Sequence, residues 1–232
     1  SVVIQSGETY QRQKKLVVFD VESSLVQHAS LNEFIKVVSN RLEPGQPVEA
    51  TPEKREDPMK ILVENAKRLK GLTADAFQQY AEILQLNPGT IELIKILKSM
   101  GFKIALLSSG FNFFVKKIFE AAGVDYAFSN TLEIDEAGVF TGNLEQPIIT
   151  SESKEELLEF IIQNENIQKE QVIAVGDGSK SSHFIKNVGL SIALQPENPL
   201  IKTDGVLGND QLLNILNCLG IGEEDLNSYL DD

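Results

Sequence analysis

Cysteine, histidine and tryptophan are scarce in this chain of 232 residues. It contains one cysteine, two histidines and no tryptophan. Because a lone Cys218 cannot form an internal disulfide, we expect a reducing, cytoplasmic setting. Two histidines are too few for a histidine-based metal cluster. Only 7% of the residues are aromatic, so the composition does not suggest a surface on which nucleic-acid bases stack.

Basic residues and long apolar runs are also in short supply. Lysine and arginine total 21 against 34 acidic residues, which gives a formal net charge of -13. Such a field repels polyanions and argues against binding to nucleic acid or to an anionic membrane. No apolar run approaches the roughly 20 residues that a membrane-spanning helix needs. A small phosphorylated ligand is compatible with this charge, provided that one pocket is locally positive.

The remaining pattern alternates between strand-like and helix-like segments. Short apolar runs predict buried strands at residues 16–19, 102–107, 171–175 and 191–194. Helical patterns follow these runs, which predicts an α/β, Rossmann-like fold with a parallel sheet between two layers of helices. The predicted helices are 30–40, 58–69, 73–86, 90–100, 112–122, 153–164, 179–188 and 210–219, and a hairpin is predicted from 131–134 and 139–144.

An all-helical stretch near the N-terminus interrupts this alternation. We interpret it as a helical cap inserted over the carboxyl edge of the sheet, where α/β proteins bind their ligands. The predicted organisation is a lead-in at residues 1–14, a core at 15–26 and 88–232, and a cap at 27–87.

Polar residues directly follow three of the predicted strands. They are Asp20, Ser108 and Asp177, and Lys154 begins a helix between the second and third of these strands. The carboxyl ends of parallel strands meet at one crevice, so these side chains should lie together. A carboxylate can attack phosphorus, and a divalent cation held by aspartates can neutralise the charge. A lysine and a hydroxyl can bind the remaining phosphate oxygens, so the set suggests phosphoryl chemistry.

Four segments around these residues resemble the motifs of the haloacid dehalogenase superfamily, and they are most similar to its phosphoserine phosphatase branch. The segments are FDVESSL at 19–25, LSSGF at 107–111, Lys154, and AVGDG at 174–178 followed by NVGL at 187–190. The resemblance covers roughly residues 15–194. It implies a haloacid dehalogenase core with an inserted cap of the C1 type.

The resemblance also implies a role for each matching residue. Asp20 would be the nucleophile and a Mg²⁺ ligand, and Asp177 would be the second metal carboxylate. Glu22 would be the general acid and base, with its backbone carbonyl on the metal. Ser108 and Lys154 would bind phosphate. These roles imply a Mg²⁺-dependent phosphomonoester hydrolase that acts on a small phosphorylated metabolite through an aspartyl-phosphate intermediate.

At four of the site positions the residue differs from the one usual in this branch. Glu22 replaces an aspartate, and Ser109 replaces a glycine and adds a side chain to the phosphate-binding loop. Near the metal position, Lys180 replaces an asparagine and Ser181 replaces an aspartate. Loss of an outer carboxylate typically costs about 10- to 100-fold in metal affinity or activity. The positive charge of Lys180 opposes a cation, but it could instead contact phosphate or pair with Glu22.

Two substrate-binding positions in the cap also differ from those of this branch. The sequence therefore leaves open which substrate is bound and whether the chain is an active enzyme. In this branch a glutamate and an arginine hold the amino and carboxylate groups of phosphoserine, and these positions fall on Ala29 and near Asn65. The alternative hypothesis is a degenerate paralogue with weak or no turnover that binds a ligand or a partner. The lead-in is similar to the segment that follows ACT-type regulatory domains, so an upstream domain of that type and a homodimer are also considered.

Overall fold

The computed structural model describes most of the chain after residue 57. The described residues are 14–27, 34, 36–37, 58–179, 183–196, 202–208 and 212–221. The predicted lead-in up to residue 13, most of the predicted helix at 30–40 and the predicted loop at 42–57 lie outside them.

Six parallel strands form the centre of the fold. They are β1 (Leu16–Asp20), β2 (Lys103–Phe111), β3 (Tyr126–Asn130), β6 (Val172–Gly176), β7 (Leu190–Leu194) and β8 (Gly205–Leu207). Their order in the sheet is β3-β2-β1-β6-β7-β8, and every pairing is parallel. All residues of β1, β6 and β7 are buried, as expected for strands covered on both faces.

Helices and one hairpin complete the described architecture. The helices are α1 (Val21–Ser24), α2 (Pro58–Arg68), α3 (Ala74–Ala81), α4 (Thr90–Ser99), α5 (Asn112–Ala122), α6 (Ser153–Asn164) and α7 (Asn214–Cys218), with 3-10 turns at Lys169–Gln171 and His183–Asn187. The antiparallel hairpin consists of β4 (Leu132–Ile134) and β5 (Phe140–Leu144). Within the described residues, none of the helices is both long enough and apolar enough to cross a membrane.

The sheet separates two hydrophobic cores. Side chains of β1 alternate between its faces, so Val17 and Phe19 belong to one core and Leu16 and Val18 to the other. All four are fully buried. This layered arrangement confirms the predicted α/β, Rossmann-like fold.

Some predicted segments differ from the structure in length or type. The helix predicted at 73–86 ends at Ala81 because residues 85–87 form backbone hydrogen bonds with residues 25 and 27. In the segment predicted as a helix at 179–188, the described residues form a 3-10 turn at His183–Asn187 and no α-helix. β8 was not predicted, since three residues are too few to give a periodic signal.

The described part of the predicted cap packs against the hairpin. The amide of Gly71 donates to the carbonyl of Phe140 at 3.0 Å, and the amide of Phe140 donates to the carbonyl of Leu72 at 2.9 Å. The ring centroid of Phe77 lies 4.9 Å from that of Phe113 and 5.3 Å from that of Phe140. Aromatic packing therefore joins α3, α5 and β5, while the predicted domain boundaries stay a prediction.

Phe77→Ala should destabilise the whole fold. Phe77 is only 4% exposed, and truncation of a buried phenylalanine typically costs about 3–5 kcal/mol. We expect the free energy of unfolding, measured by urea denaturation, to fall by about 3 kcal/mol. Phe119→Ala is the matched control, because Phe119 is 50% exposed and should change stability by less than about 1 kcal/mol. Equal losses in both variants would contradict a core role for Phe77.

Candidate active site

The ends of β1 and β6 and the last part of β2 bring the predicted site residues to one edge of the sheet. Ser108 was predicted to follow its strand, but it lies within β2, which continues to Phe111. Asp20 is the last residue of β1 and pairs in register with Leu107, so Ser108 is the next residue on β2. On the other side, β1 pairs with β6, which ends one residue before Asp177. The backbone amide of Asp177 donates to the hydroxyl of Ser23 at 3.3 Å. The structure thus brings Asp20, Ser108 and Asp177 together, as the parallel topology predicted.

Lys154 reaches this edge from the first turn of α6. Its ammonium donates to Oδ1 of Asp20 at 3.0 Å, and the two side chains are 0% and 1% exposed. Burial opposes the charge on Lys154, but the carboxylates of Asp20, then Glu22, and also Asp177 outweigh it. Together they raise the pKa of Lys154 above its ordinary value. The lysine therefore remains a buried cation at neutral pH.

Glu22 lies across the ends of β1 and β2. Its Oε1 accepts hydrogen bonds from the hydroxyl of Ser108 and, at 3.0 Å, from the amide of Gly110. Its Oε2 is buried and has no hydrogen-bond partner in the described part of the chain, although the ammonium of Lys154 is 3.7 Å away. Glu22 is thus in direct contact with the groups predicted to bind phosphate.

Ser109 faces an open cleft beside these groups. The cleft is lined by Met59 and Leu62 of α2, by Ser109 and by residues 149–152. The cleft therefore lies between a helix of the predicted cap and the loop that precedes Lys154. A leaving group attached to a bound phosphate could occupy this space.

Three of the predicted positions cannot be compared with the structure. Ala29, Lys180 and Ser181 lie outside the described residues, so the effects predicted for them stay predictions. Asn65 is described, and it is a buried residue of α2 with 8% exposure.

Gly110 and Asn130 contribute to the site but were not among the predicted residues. Gly110 supplies a backbone amide, which a search for reactive side chains overlooks, although it lies within the LSSGF motif. The Asn130 side chain donates to the carbonyls of Ser109 and Ile149 at 2.9 Å each, and it accepts from the amide of Ile149 at 2.7 Å. It connects the last part of β2 to the segment leading to Lys154. The sequence carried no signal for this contact, which depends on three segments meeting.

The oxygen atoms at this edge suit a hard divalent cation. Asp20 and Asp177 provide two carboxylates at this edge. Mg²⁺ typically binds one or two carboxylates and keeps several waters. Within the described part of the chain, no group of three or more acidic, histidine or cysteine side chains could hold a metal. A cation here would therefore depend on backbone, water and substrate oxygens as well.

Comparison with known families identifies the class of this fold. A family model described as haloacid dehalogenase-like hydrolase matches residues 14–189. The chain belongs to the haloacid dehalogenase-like hydrolase family. This confirms the resemblance carried by the four motifs.

The similar proteins within this family are phosphoserine phosphatases. The chain is 33% identical to the phosphoserine phosphatase of Archaeoglobus fulgidus over 96% of this chain. It covers 65% of that relative, which is just under two thirds of the relative's length. It is 32% identical to the enzyme of Methanocaldococcus jannaschii over 83% of its own length and 90% of that protein.

Solved structures agree with the sequence relatives. A phospho-aspartyl intermediate analogue of phosphoserine phosphatase is 30% identical and has a TM-score of 0.69, with 89% of this chain and 99% of that chain covered. A substrate-bound phosphoserine phosphatase complex is 29% identical with the same TM-score and coverage. These similarities support the prediction of a phosphatase.

Asn130→Ala should destabilise the loops that hold the site. Asn130 is 1% exposed, and its removal leaves the amide of Ile149 and two carbonyls without their partner. We expect the free energy of unfolding to fall by about 3 kcal/mol, because each unpaired buried polar group costs about 1–3 kcal/mol. Asn217→Ala is the control, since Asn217 is exposed. Unfolding in urea measures both, and a loss below about 1 kcal/mol for Asn130→Ala would contradict this role.

Proposed function

We propose that this chain is a phosphatase that hydrolyses a small phosphomonoester through a phospho-aspartyl intermediate on Asp20. The observation that carries the proposal is the buried contact between Asp20 and Lys154, next to the donors of Ser108 and Gly110. In the first step, a carboxylate oxygen of Asp20 bonds to phosphorus as the bond to the leaving oxygen breaks. In the second step, water attacks the same phosphorus and releases phosphate and the free carboxylate.

The phosphoryl oxygens would bind to Lys154 and to the two hydrogen-bond donors of Ser108 and Gly110. The hydroxyl of Ser108, the amide of Gly110 and the ammonium of Lys154 all point into one region, because each of them contacts or approaches Glu22. Donors fixed in this way stabilise the charge that develops during phosphoryl transfer. Lys154 also holds Asp20 at the end of β1.

Glu22 is the residue that we assign to proton transfer. Its carboxylate is 20% exposed and belongs to α1, which begins directly after Asp20. In the first step it donates a proton to the leaving oxygen, and in the second it accepts one from water. Both roles require Glu22 to turn from its contacts with Ser108 and Gly110 toward the leaving oxygen.

A divalent cation, which we propose to be Mg²⁺, would be held by Asp20, Asp177 and the carbonyl of Glu22. Among the described residues at this edge, three carboxylates surround the single ammonium of Lys154. A phosphate dianion would add further negative charge to this region. When bound, the cation supplies the charge neutralisation that the side chains lack.

We propose a class of substrate and not one particular compound. Relatives are phosphoserine phosphatases, which supports a small phosphorylated metabolite. Glu152 is the charged side chain that lines the cleft within the described residues, and it would repel the carboxylate of phosphoserine. We therefore do not assign phosphoserine. The cytoplasmic setting, the homodimer and the upstream ACT-type domain stay predictions.

Asp20→Asn tests the nucleophile. An amide cannot form the acyl phosphate, so we expect Mg²⁺-dependent hydrolysis of p-nitrophenyl phosphate to fall by about 10³-fold or more, a loss comparable to that caused by removal of other catalytic nucleophiles. Asp75→Asn makes the same chemical change at an exposed position of α3 and should leave the rate unaltered. Retention of activity in Asp20→Asn would refute the proposed intermediate.

Asp177→Asn tests the metal site. If Asp177 binds Mg²⁺, loss of its charge should raise the Mg²⁺ concentration that gives half-maximal activity by about 10- to 100-fold. The chelator EDTA should abolish hydrolysis in the unaltered protein, and added Mg²⁺ should restore it. An unchanged Mg²⁺ dependence in Asp177→Asn would argue against a role of this carboxylate in metal binding.

The second candidate is a ligand-binding protein with weak or no turnover. It is favoured by the contacts of Glu22 with Ser108 and Gly110, which occupy donors that a substrate would need. The same assay separates the two functions. Background rates with p-nitrophenyl phosphate in both the unaltered chain and Asp20→Asn, together with retained phosphate binding, would favour the binding protein.

A further inference from the structure

The proposed phosphate-binding donors already hold an anion that belongs to the chain. Oε1 of Glu22 accepts from the hydroxyl of Ser108 and, at 3.0 Å, from the amide of Gly110. Oε2 lies 3.7 Å from the ammonium of Lys154. We name Ser108, Gly110 and Lys154 the phosphate cradle. A carboxylate therefore lies where the proposed function requires phosphoryl oxygens.

A carboxylate and a phosphoryl group compete for such donors. Both are anions that form short, charge-assisted hydrogen bonds with N–H and O–H groups. The hydroxyl of Ser108 carries one hydrogen, and the amide of Gly110 already shares its one hydrogen between Oε1 of Glu22 at 3.0 Å and the hydroxyl oxygen of Ser108 at 3.1 Å. A phosphoryl oxygen would therefore compete with Glu22 for both hydrogens. Simultaneous binding would also place two negative charges against each other.

We propose that Glu22 occupies the phosphate cradle in the ligand-free chain and must be displaced by the phosphoryl group. This inference deepens the proposed function and rests on its assignment of the cradle. It makes Glu22 an affinity-determining residue, since the apparent Kd for phosphate equals the intrinsic Kd divided by the fraction of molecules with an open cradle. Displacement leaves the carboxylate free to turn toward the leaving oxygen.

The length of the Glu22 side chain is essential to this contact. The backbone around it is fixed, because Val21 and Ser24 are fully buried and the hydroxyl of Ser24 donates to the carbonyl of Asp20 at 2.5 Å. An aspartate at position 22 would be shorter by one C–C bond, about 1.5 Å. Its oxygen would then lie beyond the limit of about 3.2 Å for a hydrogen bond with the Gly110 amide.

Glu22→Asp therefore tests the inference without changing the charge of the site. We would measure the Kd for inorganic phosphate by isothermal titration calorimetry in the presence of Mg²⁺. We expect the Glu22→Asp chain to bind phosphate at least about tenfold more tightly than the unaltered chain, because its cradle is open. Glu156→Asp removes the same methylene from an exposed position of α6 and should leave the Kd unchanged.

Equal, weaker or undetectable phosphate binding by Glu22→Asp overturns the inference. If this variant does not fold, as judged by circular dichroism, Glu22→Ala replaces it with the same expected gain and the same contradicting outcomes. Phosphate binding requires no turnover, so a failure of this inference can be distinguished from a failure of the proposed function. Tighter binding in a chain that never hydrolyses p-nitrophenyl phosphate would refute the phosphatase and retain the inference. Hydrolysis without tighter binding would refute the inference and retain the phosphatase.

Discussion

The buried ion pair between Lys154 and Asp20 is the contact on which the rest of the site depends. A fully buried ammonium is costly unless a charged partner compensates it, and Asp20 lies 3.0 Å away at the end of the central strand. The pair joins α6 to the middle of the sheet although the two residues are 134 positions apart. It also leaves the lysine positive in an otherwise acidic chain. The locally positive group that a phosphate ligand needs is therefore built into the core.

The surroundings of this pair carry more negative than positive charge. The ammonium is surrounded by the carboxylates of Asp20, Glu22 and Asp177, so it alone cannot neutralise an incoming phosphate. A divalent cation at the same edge would supply the missing charge. Glu22 itself contacts the donors Ser108 and Gly110 of the phosphate cradle. One glutamate is thus linked both to phosphate affinity and to the proposed proton transfer, and the geometry connects these two roles.

Much of the fold could be predicted from local patterns. The apolar runs at β1 and β6 are continuous because both faces of those strands are buried, and this is a strong signal. The hairpin of β4 and β5 also agreed with its prediction. The end of α3 was not predictable, since it depends on pairing between residues 85–87 and the chain after β1. Short elements such as β8 take their conformation from neighbouring strands and carry little signal of their own.

The sequence by itself determined which chemical groups are available and which strand ends carry them. Parallel strands place such residues at one edge, so the predicted topology groups Asp20, Ser108 and Asp177. Only the tertiary structure decided what each group contacts. The position of Glu22 against Ser108 and Gly110, and the support that Asn130 gives to this part of β2, depend on distances between segments far apart in the chain. Hydrogen bonds are sensitive to shifts of less than one ångström, and residue order alone does not fix positions to that accuracy.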